Sequence, residues 1–173
     1  MKTPKIPNNS LTEEITEIVS LCEKLESEYG ENASWFSPPE LDEEITKWEK
    51  ENAISIPLSY KEWLAFSSES QLRNVLAHFY NIKKIRLNSK GTRNDLVEIA
   101  DLIGDGEALY FSKSNGKFVW DDHGDVEEID DFKLVLKEII RLLRKKSSLS
   151  KSSQDLLMSM VKASNAKKNG GTN

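Results

Sequence analysis

The densest chemical material in the chain is "DDHGDVEEIDD", Asp121 to Asp131, in which seven of eleven residues are acids. Asp121, Asp122, His123 and Asp125 are types that hold divalent cations or relay protons. Their spacing fits no calcium loop, and the stretch runs from a strand into a turn. Two uses suit it better. Acids at a helix start stabilise its positive end, and a negative surface draws in a basic partner and speeds the encounter. The candidate protein-binding residues are Asp121, Asp122, Asp125, Glu127 and Glu128, with Asp130 or Asp131 as the cap of the helix that follows.

No other stretch offers a reactive constellation. There is no phosphate loop, HExxH, GxSxG or CxxC. "GDGEAL" opens like a dinucleotide fingerprint, but the third glycine is missing and a strand follows. His78 and His123 are the two histidines and Cys22 the single cysteine, which leaves little for a Cys/His or Ser/His site. Cys22 falls on an apolar helical face and reads as a small core residue. The expectation is a protein without catalytic residues, cofactor or metal, an enzyme or metal protein built on Asp121–Asp125 being the rival.

Charge is unevenly spread. The net charge is −5, yet seven of the 24 basic residues and one of the 29 acids lie from Arg144 onward, which leaves positions 1–143 at −11. Such a body repels nucleic acid and attracts basic proteins. "KKIRLNSKGTR" (Lys83–Arg93) is the exception, with five basic residues and no acid. It lacks the interleaved aromatics of a stacking platform and reads as a solvent loop or an internal partner for the acidic face.

The elements that must position these residues follow from periodicity. Leu11, Ile15, Ile18, Val19, Cys22, Leu25 and Tyr29 mark one helical face, with Ser10 or Thr12 as cap and Gly30 at its end. Ser37 and Glu40 form a capping box with a proline at the first helical position, opening a helix with Leu41, Ile45 and Trp48 on one side. Pro57 breaks it, and a second helix, about Ser59 to Ser67, presents Tyr60, Trp63, Leu64 and Phe66. Strands are expected near His78–Ile82, over Leu96–Ile103, in "ALYFSK" and "KFVWDD" around the Asn115-Gly116 turn, and in "VEEI". "DDFKLVLKEIIRLLRK" closes the body as a helix. Leu156, Leu157, Met160 and Val161 could form a short amphipathic turn in an otherwise flexible tail. The fold class is α+β, one antiparallel meander of four to six strands packed against N- and C-terminal helices.

"PPELDEEITKWEKENAISIPLSYKEWLAF" (Pro38–Phe66) resembles the opening signature of the SUKH superfamily, which includes the yeast Smi/Knr cell-wall regulator. The matching residues are Ile45, Glu49, Ile56-Pro57, Tyr60, Trp63 and Leu64. "IADLIGDGEALYFSKSNGKFVWDDHGD" is similar to the family's glycine turn, hairpin and "DH" segment, and "DFKLVLKEII" to its closing helix through Phe132 and Leu136. Ser67-Ser68-Glu69 stands where the family often has Asn-Gly. The likeness covers about Ser34 to Leu143 and divides the chain into a helical extension (1–33), a SUKH-like domain (34–145) and a basic Ser/Lys-rich tail (146–173). It implies an immunity protein of a polymorphic toxin system that binds a basic nuclease or deaminase toxin; with no signal peptide or long apolar run and an acidic body, the expectation is a cytoplasmic monomer that binds neither nucleic acid nor membrane. The other branch implies a regulatory interaction scaffold without a toxin partner.

Overall fold

The computed structural model describes residues 3–29, 34–87, 94–102 and 106–148. The tail from residue 149, with the Leu156–Val161 turn, lies outside the described residues, as does Gly30. Helix α1 (Thr12–Tyr29) leads into β1 (Trp35–Phe36), α2 (Asp42–Asn52), α3 (Leu58–Leu64), β2 (Ser70–Leu72), β3 (Ala77–Phe79) and β4 (Arg86–Leu87). The meander β5 (Leu96–Leu102), β6 (Glu107–Ser112), β7 (Phe118–Asp122) and β8 (Asp125–Ile129) follows, and α4 runs over residues 132–148. The class is α+β as expected, but the sheet has eight strands. The extra ones, β1, β2 and β4, are two or three residues long, too short to display a period of two.

All pairings are antiparallel, in the order β1-β2-β3-β5-β6-β7-β8. β4 returns to the edge of β5 that β3 occupies further along, pairing Arg86 with Glu98 and Leu87 with Val97. A bulge between Glu98 and Ala100 adds one residue to β5. It keeps Val97, Ala100 and Leu102 facing the same way on either side of the irregularity.

The pleat sends alternate residues to opposite faces. On one face Phe36, Leu72, Phe79, Val97, Leu109, Phe111 and Phe118 join one buried cluster with residues of all four helices. Leu11 and five side chains of α1, from Ile15 to Leu25, belong to that cluster, although α1 lies outside the family resemblance. The other face carries a small separate cluster of Ala108, Tyr110 and Val119, with Leu96 against it and no helix among the described residues.

The helix starts depart from expectation. Asn9, rather than Ser10 or Thr12, caps α1: its Oδ1 accepts from Leu11 N at 3.0 Å, while the Ser10 hydroxyl donates to Glu62 Oε2 at 2.5 Å. The Ser37/Glu40 box does not form. Ser37 N donates to Glu69 O at 2.8 Å, Glu40 N to Leu64 O at 2.9 Å and Ser68 N to Pro38 O at 3.0 Å, so tertiary pairing claims these backbone groups. α2 begins after Leu41, which is 57% exposed rather than on the apolar face. At the other end Asp131 Oδ1 accepts from Lys133 N at 2.9 Å and caps α4, as read from the sequence.

The resemblance residues touch one another. Glu49 Oε1 accepts from Ile56 N at 2.7 Å and pairs with Lys61 Nζ at 2.8 Å, which fixes the connector between α2 and α3. That connector sets the angle at which Tyr60, Trp63 and Leu64 enter the core, all fully buried. Trp63 meets Phe79, Phe66 and Phe132 at ring centroids of 5.0, 5.6 and 5.9 Å. Its indole N–H is buried with no partner among the described residues. Trp63→Ala is therefore expected to cost about 3–5 kcal/mol in denaturant melts. Trp63→Phe, which keeps a ring and removes an unpaired donor, should cost only about 1–2 kcal/mol. Equal losses would mean that the ring contacts do not carry the stability.

Candidate protein-binding surface

The acidic segment is built on a two-residue hairpin turn. His123 and Gly124 have φ of 51° and 101°, and Asp122 pairs with Asp125 across the turn. Two successive positive φ values suit the right-handed twist of a tight hairpin and favour glycine at the second position. Asp121 belongs to this turn. It is 7% exposed and its Oδ1 accepts from Gly124 N at 2.8 Å. Of the five sequence candidates Asp121 is thus a buried acceptor within the turn, not an exposed carboxylate.

The remaining four are divided by the pleat. Register places Asp125 opposite Asp122 and Glu127 opposite Trp120, so these side chains share the face that carries α4. Glu128 is opposite Val119 and lies on the other face. There it pairs with Lys117 at 2.6 Å, and Lys117 also reaches Asp130 at 3.0 Å. Hydrogen bonds to these two carboxylates push the Lys117 ammonium up to about 12. Glu128 is thus locally compensated. Asp122 has only its neighbour His123, at 2.8 Å, while Asp125 and Glu127 have no ion-pair partner among the described residues.

Between β8 and α4 runs a groove made of two adjoining clefts of about 490 and 530 Å³. Trp120 lines both, and its indole Nε1 donates to the buried Glu107 Oε2 at 2.8 Å. Asp122, Asp125, Val126 and Glu127 form the strand wall, and Glu138, Arg141 and Leu142 the helix wall. Arg141 is held by Glu138 at 2.5–2.9 Å, and Lys137 adds a second cation to the helix wall in the adjoining cleft. The result is a groove with an aromatic floor and an excess of carboxylates. Charge density marks the acids in the sequence, but only the hairpin register and α4 bring three of them to one wall.

A second polar cluster, missed in the sequence, occupies the helix-free face. His78 stacks edge-on against Tyr80 at 5.3 Å and lies 6.3 Å from Trp35, and Arg86 sits 5.1 Å over the Tyr80 ring. Glu69 accepts from Lys84 at 2.6 Å and contacts His78 Nε2 at 2.9 Å, and Arg86 pairs with Glu98 at 2.8 Å. The described part of the basic segment is thus spent on internal acids, and residues 88–93 lie outside the description. The period-two pair His78 and Tyr80 was the available signal, too short to be read as a face.

The lone thiol is unsuited to chemistry. Burial, with Glu23 and Glu26 nearby, pushes Cys22 up to about 11 and keeps it protonated. Among the described residues no three His, Cys, Asp or Glu side chains gather to hold a metal ion. No described helix is long and apolar enough to cross a membrane. No protein-family model and no curated protein matches the chain.

Glu69 gives this face a pH signature. Burial alone would raise its carboxyl, but hydrogen bonds from Lys84 and His78 outweigh it and the net direction is down from 4.5. A lowered folded-state value means the stabilisation is complete above the unfolded value and is lost as pH falls through the folded one. The melting-temperature gap between wild type and Glu69→Gln is therefore expected to be constant from neutral pH to about 5 and to close below about 4.5. A gap that stays constant down to pH 3 would show that the charge of Glu69 adds nothing to stability.

Proposed function

We propose that this chain is a non-catalytic binding domain of the SUKH type. In this reading it is an immunity protein that neutralises a cognate nuclease or deaminase toxin by covering its basic active-site cleft. The observation that carries the reading is the groove wall of Asp122, Asp125 and Glu127 beside Trp120, where Asp122 meets His123 and the other two have no ion-pair partner among the described residues. Nucleases hold phosphate with basic clefts, and a surface of opposite sign can take the place of nucleic acid there. The ordered likeness from Ile45 to Leu136 supports the family, and the Glu49–Ile56 bond gives its opening signature a structural role.

Neutralising rim charges acts mainly on encounter rate. Asp122→Asn, Asp125→Asn and Glu127→Gln combined should leave circular dichroism and melting temperature unchanged, since none of the three makes a buried bond. Association with the toxin encoded beside this gene should slow by roughly tenfold at low salt and lose most of its salt dependence. Protection of cells expressing that toxin should weaken in parallel. Unchanged rate and salt slope would remove the groove from the interface. A neighbouring gene whose product is harmless to cells would favour the regulatory scaffold instead.

A further inference from the structure

β8 is the last strand of the sheet. Among the described residues its backbone bonds run only to β7, and no loop or helix pairs with its outer side. The two-residue turn makes Asp122–Asp125 the closing hydrogen-bonded pair. Alternation along the antiparallel ladder then makes Trp120–Glu127 bonded and leaves Val126 and Glu128 with N–H and C=O aimed away from β7. Val126 is also 56% exposed, an apolar side chain on an otherwise acidic edge.

From this geometry, and resting on the hairpin as the partner surface, we infer that a basic partner docks by adding an extended strand to the outer edge of β8. Its alternate Lys or Arg side chains enter the groove against Asp125 and Glu127. Its intervening residues take backbone bonds from Val126 and Glu128 and lie on the helix-free side. Such an edge is a template for any strand of compatible charge. A second copy of β8 is not compatible, because it would set Asp125, Glu127 and Glu128 against the same acids. Opposite-charge pairs across the new ladder are favourable, so the edge that rejects itself selects a basic strand.

The test uses an alternating Lys-Val octapeptide as probe, with the full-length protein. Binding should protect the Val126 and Glu128 amides from hydrogen exchange. N-methylating the valines blocks the bonds to β8 without altering charge and should weaken binding at least about tenfold. Val126→Pro removes one outward N–H, leaves every acid in place and should do the same, since proline is tolerated on an edge where the N–H faces solvent. The N-methyl peptide decides the matter if the proline variant melts early. If both changes leave affinity intact while neutralising Asp122, Asp125 and Glu127 abolishes it, strand addition is wrong and the charged groove stands. If the neutralised variant also binds normally, the hairpin is not the partner surface. Failure of the unmodified peptide to bind overturns the inference directly.

Discussion

The fold hangs on the ring of Phe132. It stands at the first turn of α4 and meets Tyr60 and Trp63 of α3, Phe79 of β3 and Phe118 of β7 at centroid distances of 5.1, 5.9, 5.7 and 5.3 Å. Aromatic pairs prefer tilted or edge-on approaches, and each contact here is of that kind. Four elements distant in sequence are thereby fixed to one point. β7 cannot shift by a residue without replacing Phe118 under this ring by a neighbour that faces the other way. Because the acidic hairpin is the continuation of β7, the same constraint decides which carboxylates face α4.

That dependence explains what the sequence could and could not disclose. Ile45, Tyr60, Trp63, Leu64, Phe66 and the apolar face of α4 were legible because helical period and burial coincide there. The meander from Leu96 to Ile129 was legible from alternation and turn residues: Gly116, at φ 71°, and Gly124, at φ 101°, stand where positive φ is required. Ser37 and Glu40 carried a local helix signal that lost to long-range pairing with Glu69 and Leu64, a competition that local pattern cannot weigh. β1, β2 and β4 are set by pairing with neighbouring strands rather than by a pattern of their own. Composition marks the five acidic candidates as a segment, but composition has no faces. Only register could set Asp121 into the turn and Glu128 against Lys117.

The two charged regions also differ in kind. On the helix-free face each described cation is matched: Lys84 with Glu69, Arg86 with Glu98. Matched pairs at short range cast little field beyond a Debye length of about 8–10 Å at physiological salt. The groove wall is the reverse case. Arg141 there is bound to Glu138, and Lys137 and the His123 beside Asp122 do not balance the carboxylates that line it, so the groove keeps an excess of negative charge toward solvent. A net charge of −11 over residues 1–143 states how much negative charge there is, and the pairing pattern states where it remains available.

Availability also depends on what a partner can do once it arrives. Charge alone is non-directional and would hold a basic protein loosely in many poses. A terminal strand adds directed backbone groups, and the groove adds an aromatic floor whose indole is fixed by Glu107. In the proposed binding mode each feature would limit a different freedom: the field would bring the partner near, the edge would fix register and the groove would fix which side its long side chains enter. The three coincide at one hairpin because β7 is anchored inward by Phe118 and Trp120 while β8 carries almost no apolar burial of its own. β8 therefore depends on β7 for its position and spends its outward groups on nothing within the described chain. A strand placed that way is both the least constrained part of the sheet and the part most available to a partner.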